Sequence, residues 1–409
     1  MMRIVTELPK IKDINNNDIF EIINHRSTKT HSFFKYPAKF IPEIANWSIR
    51  NFSKKGEKIL DCFAGSGTSL VEASFLERIP YAIDFDPLSQ IITKSKVNYL
   101  NIKDINKIIN DLEKIVFTHK NPFIPEIPDI YKWFPEKNIK SLGNIYSNLM
   151  KYKKNNENIY NFLITCFVST IRKSSYADDT SPKPYVSTRI KKIPLDSKKL
   201  FTDTVIKNLK IFQSKNFKLK YKVKIIGDDA RKIINKKVDH VISSPPYINA
   251  FDYVRILRFE NLWINSFKNS EIINHKKKQI GTEIIGFKDY IKKPKKFGYD
   301  ALDKKILNVY RVDKKRAFII IKYFNDMFLN LKNIYKVLKK NSFYTIVVGD
   351  CLIRNNKFET AEYLSFLANK IGFKQEKKFS YIIKNPYLRI PRAGKGSIIK
   401  FDRILVLKK

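Results

Sequence analysis

The run "GEKILDCFAGSGTSLVEASFLERIPYAIDFDPLSQII", beginning at Gly56, constrains the fold more than any other stretch. Lys58 to Phe63 reads as a short buried strand, Ala64–Gly67 as a glycine-containing turn, and the residues after it as a helix to about Arg78. A second strand, Tyr81 to Phe85, ends on acids, and Pro87 opens the next helix. A β-turn-α-β unit implies parallel strands joined by a right-handed crossover. The expected class is therefore α/β, a doubly wound and mostly parallel sheet.

The remaining elements fit that frame. Upstream, Phe40, Ile41, Ile44, Ala45, Ile49 and Phe52 fall at helical spacing. Downstream, "YKVKIIGDDA" and "KVDHVISS" read as strands, with "YINAFDYVRILRFENLWI" as the helix that follows. Between the halves lies Asn101 to Lys220, too long for a loop. It holds the apolar helical run "IYNFLITCFVSTI" and the polar stretch "RKSSYADDTSPKPYVSTRIKK". A second irregular stretch, Ser266 to Lys314, carries "HKKKQ" and "YIKKPKKFGY". The last third predicts a long helix in "KRAFIIIKYFNDMFLNLKNIYKVLKK", a buried strand in "SFYTIVVGD" and a helix in "ETAEYLSFLANKIGF". It closes with a hairpin of "EKKFSYIIKN" and "IIKFDRILVLKK", giving an antiparallel C-terminal end to the sheet. No internal repeat or coiled coil is visible.

At 409 residues, 43% hydrophobic with 30 Phe and 21 Tyr, the chain can bury a full-sized core. No apolar run approaches the roughly 20 residues of a membrane span. The charged start "MMRIVTELPKIKD" lacks the apolar stretch of a secretory signal. Cys62, Cys166 and Cys351 lie far apart with no metal-ligand spacing, so the expectation is an intracellular, reduced protein. Lys and Arg number 79 against 39 acids, a formal net charge of +40. Such an excess points to a polyanion, most simply nucleic acid, although an AT-rich genome also enriches lysine.

Four strand ends carry the candidate chemistry. In "DCFAGSGTS" (Asp61 to Ser69), Gly65 and Gly67 let a ligand approach the backbone where open α/β sheets bind. The helix N-terminus that follows favours negative charge. There is no Gly-Lys-Ser/Thr for an NTP loop, and the spacing fails G-x-G-x-x-G. Asp84, after the second strand, stands where such folds set an acid on ribose hydroxyls. It also reads as an N-cap ahead of Pro87, a role Asp86 suits better. Asp228 and Asp229 end the third strand, able to accept from an adenine amino group or to be a solvated turn.

The fourth strand ends in "HVISSPPYIN" (His240 to Asn249). Two prolines cannot donate to a ladder and hold the preceding residue extended. This is either an ordinary strand terminator or a rigid platform that holds Ser244 and Tyr247 against something flat.

Taken together, these motifs resemble the S-adenosylmethionine-dependent DNA amino-methyltransferases. "DCFAGSGTS" looks like their cofactor motif and "SPPY" like their catalytic tetrapeptide. "KYPAKFIPEI" and "NAFDYVR…ENLWI" look similar to the cytosine-N4 branch. The likeness covers about Ser32–Tyr99 and Tyr221–Lys409 and implies a seven-stranded Rossmann-like sheet with a helical insert. It implies S-adenosylmethionine contacts at Asp61, Phe63, Gly65, Ser66, Gly67, Thr68, Asp84, Phe85, Asp229 and Ala230, with Tyr36, Pro37 and Phe40 walling the methionine end. Ser244, Pro245, Pro246 and Tyr247 would be catalytic. An exocyclic amine is a weak nucleophile because its lone pair is delocalised into the ring. The Ser244 hydroxyl and Pro245 carbonyl can accept its N–H bonds, and Tyr247 can stack on a base turned out of the duplex.

No cysteine follows a proline, so the nucleophile for methylating a cytosine ring carbon is absent. Adenine-modifying members of that family mostly carry Asp or Asn where this chain has Ser244, which favours cytosine. The role so implied is restriction–modification in a prokaryotic cytoplasm, with duplex DNA and a cognate restriction endonuclease as partners and no membrane. The order departs from the commonest family plans. The cofactor motif (within 1–100) precedes the catalytic one (within 221–409), and 101–220 falls between. Target recognition is assigned to 101–220 with help from 266–314; a solvated helical lid is the other reading. "RIPRAGKGSIIK" (Arg389 to Lys400) is either a phosphate-gripping loop or a plain surface loop. Rival functions are adenine-N6 methylation, an RNA base as substrate, and a non-catalytic DNA-binding scaffold.

Overall fold

The side chains of the central strands alternate between two hydrophobic layers, and that alternation organises the molecule. In this computed structural model the described residues are 2–23, 30–189, 191–214, 217–232, 234–248, 252–290, 293–384 and 399–409. Their strands are β1 (Met2–Val5), β2 (Ile19–Ile22), β3 (Lys58–Asp61), β4 (Ile79–Ile83), β5 (Lys224–Gly227), β6 (Val238–Ser243), β7 (Leu338–Gly349), β8 (Cys351–Ile353), β9 (Asn356–Phe358), β10 (Lys374–Ile382) and β11 (Phe401–Lys408). Nine form one sheet in the order β1-β2-β10-β11-β7-β6-β3-β4-β5, and β8 and β9 make a separate ribbon. Every pairing in the large sheet is parallel except those of β11, which is antiparallel to β7 and β10.

Seven of these strands, the C-terminal hairpin β10–β11 among them, match the expected plan. The difference is at the edge beyond β10, where β1 and β2 extend the sheet to nine. Both are four-residue strands, β1 half-exposed and β2 alternating partly buried with buried residues, too short to register as strands by periodicity.

Helix α1 (Pro42–Phe52) lies on one face, where Ile44, Trp47 and Ile49 pack with Ile59, Ile242, Val347, Ile404 and Val406. The neighbours in sequence, Leu60, Val241, Ile346, Val348 and Leu405, point to the other face. Three helices cover that face: α13 (Asp300–Val312), α14 (Lys314–Val337) and α15 (Thr360–Asn369). Helices α2 (Thr68–Phe75) and α3 (Pro87–Val97) follow β3 and β4.

The insert is helical, as expected: α4 (Ile102–Ile115), α5 (Ile130–Trp133), α6 (Glu136–Asn155), α7 (Glu157–Ile171) and α8 (Ser197–Phe212). It starts on a capping box in which Asn101 Oδ1 accepts from the Asp104 amide at 2.8 Å. Helix α7, read from its apolar run, is buried almost throughout. These helices share one core with Leu88 and Ile92 of α3 and with Val254 to Phe267. The segment 254–267, beyond the Ser244 strand end, therefore rests on the insert.

Two expectations change here. The stretch after "SPPY" is two short helices, α9 (Tyr253–Ile256) and α10 (Arg258–Trp263), broken at Leu257; its residues 249–251 lie outside the described ones. The 266–314 stretch is not irregular, since it holds α11 (Ile272–Lys278), α12 (Phe287–Tyr290) and α13. Leu302, Ile306 and Val309 had the spacing of a buried helical stripe, but the surrounding lysines obscured it.

Candidate active site

From β3 the chain moves outward in one direction to β4 and β5, then returns to lay β6 and β7 on the other side of β3. The gap between the carboxyl ends of β3 and β6 is thus the sheet's switch point, where open α/β sheets bind ligands. The glycine turn follows β3, and Ser244 follows β6. Register aligns Leu60 with Val241, and the Cys62 amide donates to Ser243 Oγ at 2.9 Å, fastening the two ends. A cleft opens there, about 790 Å³ with its solvent-open mouth included.

Most of the expected site residues wall this cleft. Tyr36, Pro37, Phe40, Phe63, Gly65, Ser66, Thr68, Asp84, Phe85, Asp229, Ala230, Ser244 and Pro246 all line it. Gly65 and Gly67 hold φ of +50° and +74°, the left-handed region that disfavours other residues. A Cβ on Gly65 would lie 3.2 Å from the Tyr36 ring, so glycine also lets the wall close in. Among the described residues, the buried hydroxyls of Ser66 and Thr68 have no hydrogen-bond partner, leaving unmet polar capacity beside the turn.

Asp84 clamps the turn from the neighbouring strand. Its Oδ2 accepts from the Gly65 amide at 2.7 Å and its Oδ1 from the Asp86 amide at 2.9 Å. Burial pushes its carboxyl up to about 7. Asp86 precedes α3 but makes no side-chain cap; Oδ2 accepts instead from Ser89 Oγ at 3.0 Å, and Ser89 meets the Tyr36 hydroxyl at 2.8 Å. The expected capping role is replaced by support for the Tyr36 wall. Beneath the turn, the ammonium of Lys96 donates to the Ser66 carbonyl at 2.9 Å, and the lysine is fully buried.

Four expected residues sit behind the wall. Asp61 is 1% exposed; its oxygens accept from Ser69 Oγ and the Phe63 amide, and burial pushes it up to about 6. Gly67 caps α2, packed on Thr93, and Pro245 is buried. The Tyr247 hydroxyl donates to Asp402 Oδ1 at 2.5 Å, and Tyr381 donates to the other oxygen at 2.6 Å. The Tyr247 ring rests on Gly349, where a Cβ would come within 2.8 Å of it.

Asp229 lines the cleft but is held by Arg231, whose Nε and Nη2 reach its two oxygens at 2.9 and 3.0 Å. Burial raises its pKa, yet these bonds and the Arg231 charge hold it below the usual carboxylate range. Asp228 pairs with exposed Lys232.

Sequence reasoning missed several lining residues: Ala38, Lys39, Cys62 and Ala64 beside expected ones, and Tyr253, Lys278 and Ile280 from beyond the catalytic strand end. Tyr253 stacks on Tyr36 with centroids 6.1 Å apart, and Lys278 and Ile280 come from the 266–314 stretch. Tyr253 lies within a quoted motif, but nothing local pairs it with Tyr36. In the "RIPRAGKGSIIK" loop, 389–398 lies outside the described residues. No helix among the described residues is long and apolar enough to cross a membrane.

The arrangement offers an aromatic-walled pocket beside a hydroxyl on a proline-stiffened strand end. A family model for DNA methylases matches residues 4–94, the part holding Tyr36, the glycine turn and Asp84. The chain is 25% identical to the type II methyltransferase M.MvaI of Kocuria varians, over 97% of this chain and 95% of that protein. It is 23% identical to the type II methyltransferase M.MjaII of Methanocaldococcus jannaschii, over 75% and 78%. Among solved structures, TrmN from Thermus thermophilus is similar at 11% identity and a TM-score of 0.29, over 90% of this chain and 49% of that one.

Proposed function

We propose that this chain, a DNA methyltransferase of the class that modifies exocyclic base amines, acts on N4 of cytosine in duplex DNA. The observation that carries the reading is the meeting of Ser244 with the Gly65 turn in one cleft at the switch point. Nothing in an ordinary strand terminator requires that meeting.

The residues present fit S-adenosylmethionine. The turn gives backbone approach, Tyr36, Phe40, Phe63 and Phe85 give apolar walls, and Asp84 with the unmet Ser66 and Thr68 hydroxyls gives polar contacts. When bound, that group supplies an electrophilic methyl on a sulfonium. Ser244 then faces the base. Its hydroxyl, with the Pro245 carbonyl, would accept the N–H bonds of the amine and free the nitrogen lone pair for attack. Pro245 and Pro246 fix those acceptors in advance. Tyr253 and Tyr36 form an aromatic pair at the same mouth, suited to an extruded base. The net charge of +40 suits a duplex partner. Cytosine is favoured over adenine by the serine at 244. The role we assign is host-DNA protection in a restriction–modification pair with a cognate endonuclease.

The test is chemical. Protein, S-adenosylmethionine and mixed-sequence duplex DNA are incubated, the DNA is digested, and the nucleosides are identified by mass spectrometry. N4-methylcytosine is the expected product. N6-methyladenine would overturn the base assignment alone, and no methylated nucleoside would overturn the reading for DNA.

A further inference from the structure

We propose that residues 172–195, between α7 and α8, form a preorganised finger that reads the target DNA, presenting Lys173, Tyr185, Thr188, Arg189 and Lys191. This rests on the DNA-modifying reading of the cleft and narrows recognition to one segment of the insert.

Among its described residues the segment has no helix or ladder, only an isolated bridge between Ala177 and Val186. A stretch this long without regular structure inside a packed domain is commonly functional or disordered. Here its backbone is satisfied by side chains. The Arg172 guanidinium donates to the carbonyls of Asp178 at 2.9 Å, Pro182 at 2.8 Å and Ser181. Lys192 Nζ donates to the carbonyls of Arg172 at 2.8 Å and Ala177 at 2.9 Å. Asp178 Oδ1 accepts from the amides of Thr180 and Ser181 at 2.7 and 3.1 Å. A loop fixed this way has little conformational entropy left to lose on binding.

The same bonds sort the charges. Asp178 serves the turn and Asp179 pairs with Lys192 at 2.9 Å, so both acids are engaged within the finger. Lys173, Arg189 and Lys191 remain exposed, alongside exposed Tyr185 and Thr188. Cations that can neutralise phosphates, beside an arginine, a hydroxyl and an aromatic that can meet base edges, match the two kinds of contact a duplex needs.

The finger is also tied to the catalytic side. The Tyr176 amide donates to the Trp133 carbonyl at 2.8 Å, and the Trp133 ring sits edge-on to Phe259 at 4.9 Å. Phe259 belongs to α10, which follows the Ser244 segment. The Arg172 charge also reaches the buried Glu260 carboxyl on α10. The finger root thus rests on the helix that leads away from the catalytic strand end.

Two variants of the full chain test this beside the wild type. In K173A/R189A/K191A, duplex affinity by fluorescence anisotropy should fall, and the slope of log affinity against log salt should shrink by about 2 to 3, near 0.9 per lost phosphate contact. Calorimetric affinity for S-adenosylmethionine should stay within twofold. In Y185A/T188A, sequencing of methylated sites should reveal a relaxed target preference. Wild-type salt slope and wild-type target sites in both variants would overturn the finger while leaving the enzyme reading intact. A wild-type protein that methylates no nucleic acid would overturn the underlying reading and the finger with it. Finger-dependent methylation of structured RNA but not duplex DNA would overturn the choice of DNA.

Discussion

Lys96 reaches the Ser66 carbonyl from inside the protein, so a fully buried lysine holds the residue between the two left-handed glycines of the turn. Burial, with the Lys39 charge nearby, pushes its ammonium well below the usual lysine range. Burying such a group is costly unless it is well bonded, which points to a positioning role. Replacing Lys96 with Met should weaken S-adenosylmethionine binding about tenfold, the scale of one lost hydrogen bond. Calorimetry with a thermal melt would check it. Unchanged affinity in a folded variant would mean that the glycines and Asp84 fix the turn unaided.

Asp84 predicts a pH dependence. Its carboxyl is raised to about 7 by burial, so below that pH the folded protein holds a proton that the unfolded chain releases near 4. Its contribution to stability is therefore present at low pH and lost as pH rises through about 7. Cofactor binding runs the other way, because the ionised acid is the better acceptor and favours a cationic ligand. Affinity should fall as pH drops below about 7, and Asp84→Asn should flatten that step. Titration calorimetry across pH 5.5 to 8.5 decides it, a step that survives in the variant assigning the effect elsewhere.

Ser244 bears on turnover more than on cofactor. It lines the cleft beside Pro246 and caps no helix. Ser244→Ala should lower single-turnover methylation about a hundredfold, typical of losing one preorganised polar contact, with cofactor affinity within twofold. Equal losses in both assays would mean that the hydroxyl serves the cofactor.

Gly349 predicts an effect from outside the cofactor and catalytic motifs. A Cβ there would stand 2.8 Å from the Tyr247 ring and 3.0 Å from Ile399. Gly349→Ala should displace Tyr247 and lower turnover more than tenfold, while S-adenosylmethionine affinity holds. Normal turnover would show that Tyr247 tolerates the shift and is mainly structural.

The sequence was most readable where function and fold share local signals. Apolar strands, glycines with positive φ and terminal acids sit within one short run, so β3, the turn, α2 and β4 are legible together, with ends off by a few residues. Asp84 is legible as a strand-end acid, but its clamp on Gly65 is not, because it joins two neighbouring strands. The Tyr36–Tyr253 stack and the Tyr247–Asp402 bond join residues far apart in sequence, and no pattern pairs them. Asp61 fits the motif, yet its oxygens turn inward to Ser69 and Phe63.

The sheet order also bears on how the chain acquires its structure. β3 cannot meet β6 until the whole intervening insert has been made, and closing so long an unstructured loop would slow folding. The α4–α8 helices pack largely on one another, through contacts local in sequence. Collapsing early, they would shorten the effective tether between the two halves. On this view the insert is a chaperone built into the chain for assembly of the cleft. Substitutions that loosen the packing of α4–α8 would lengthen that tether and slow refolding, apart from any effect on activity.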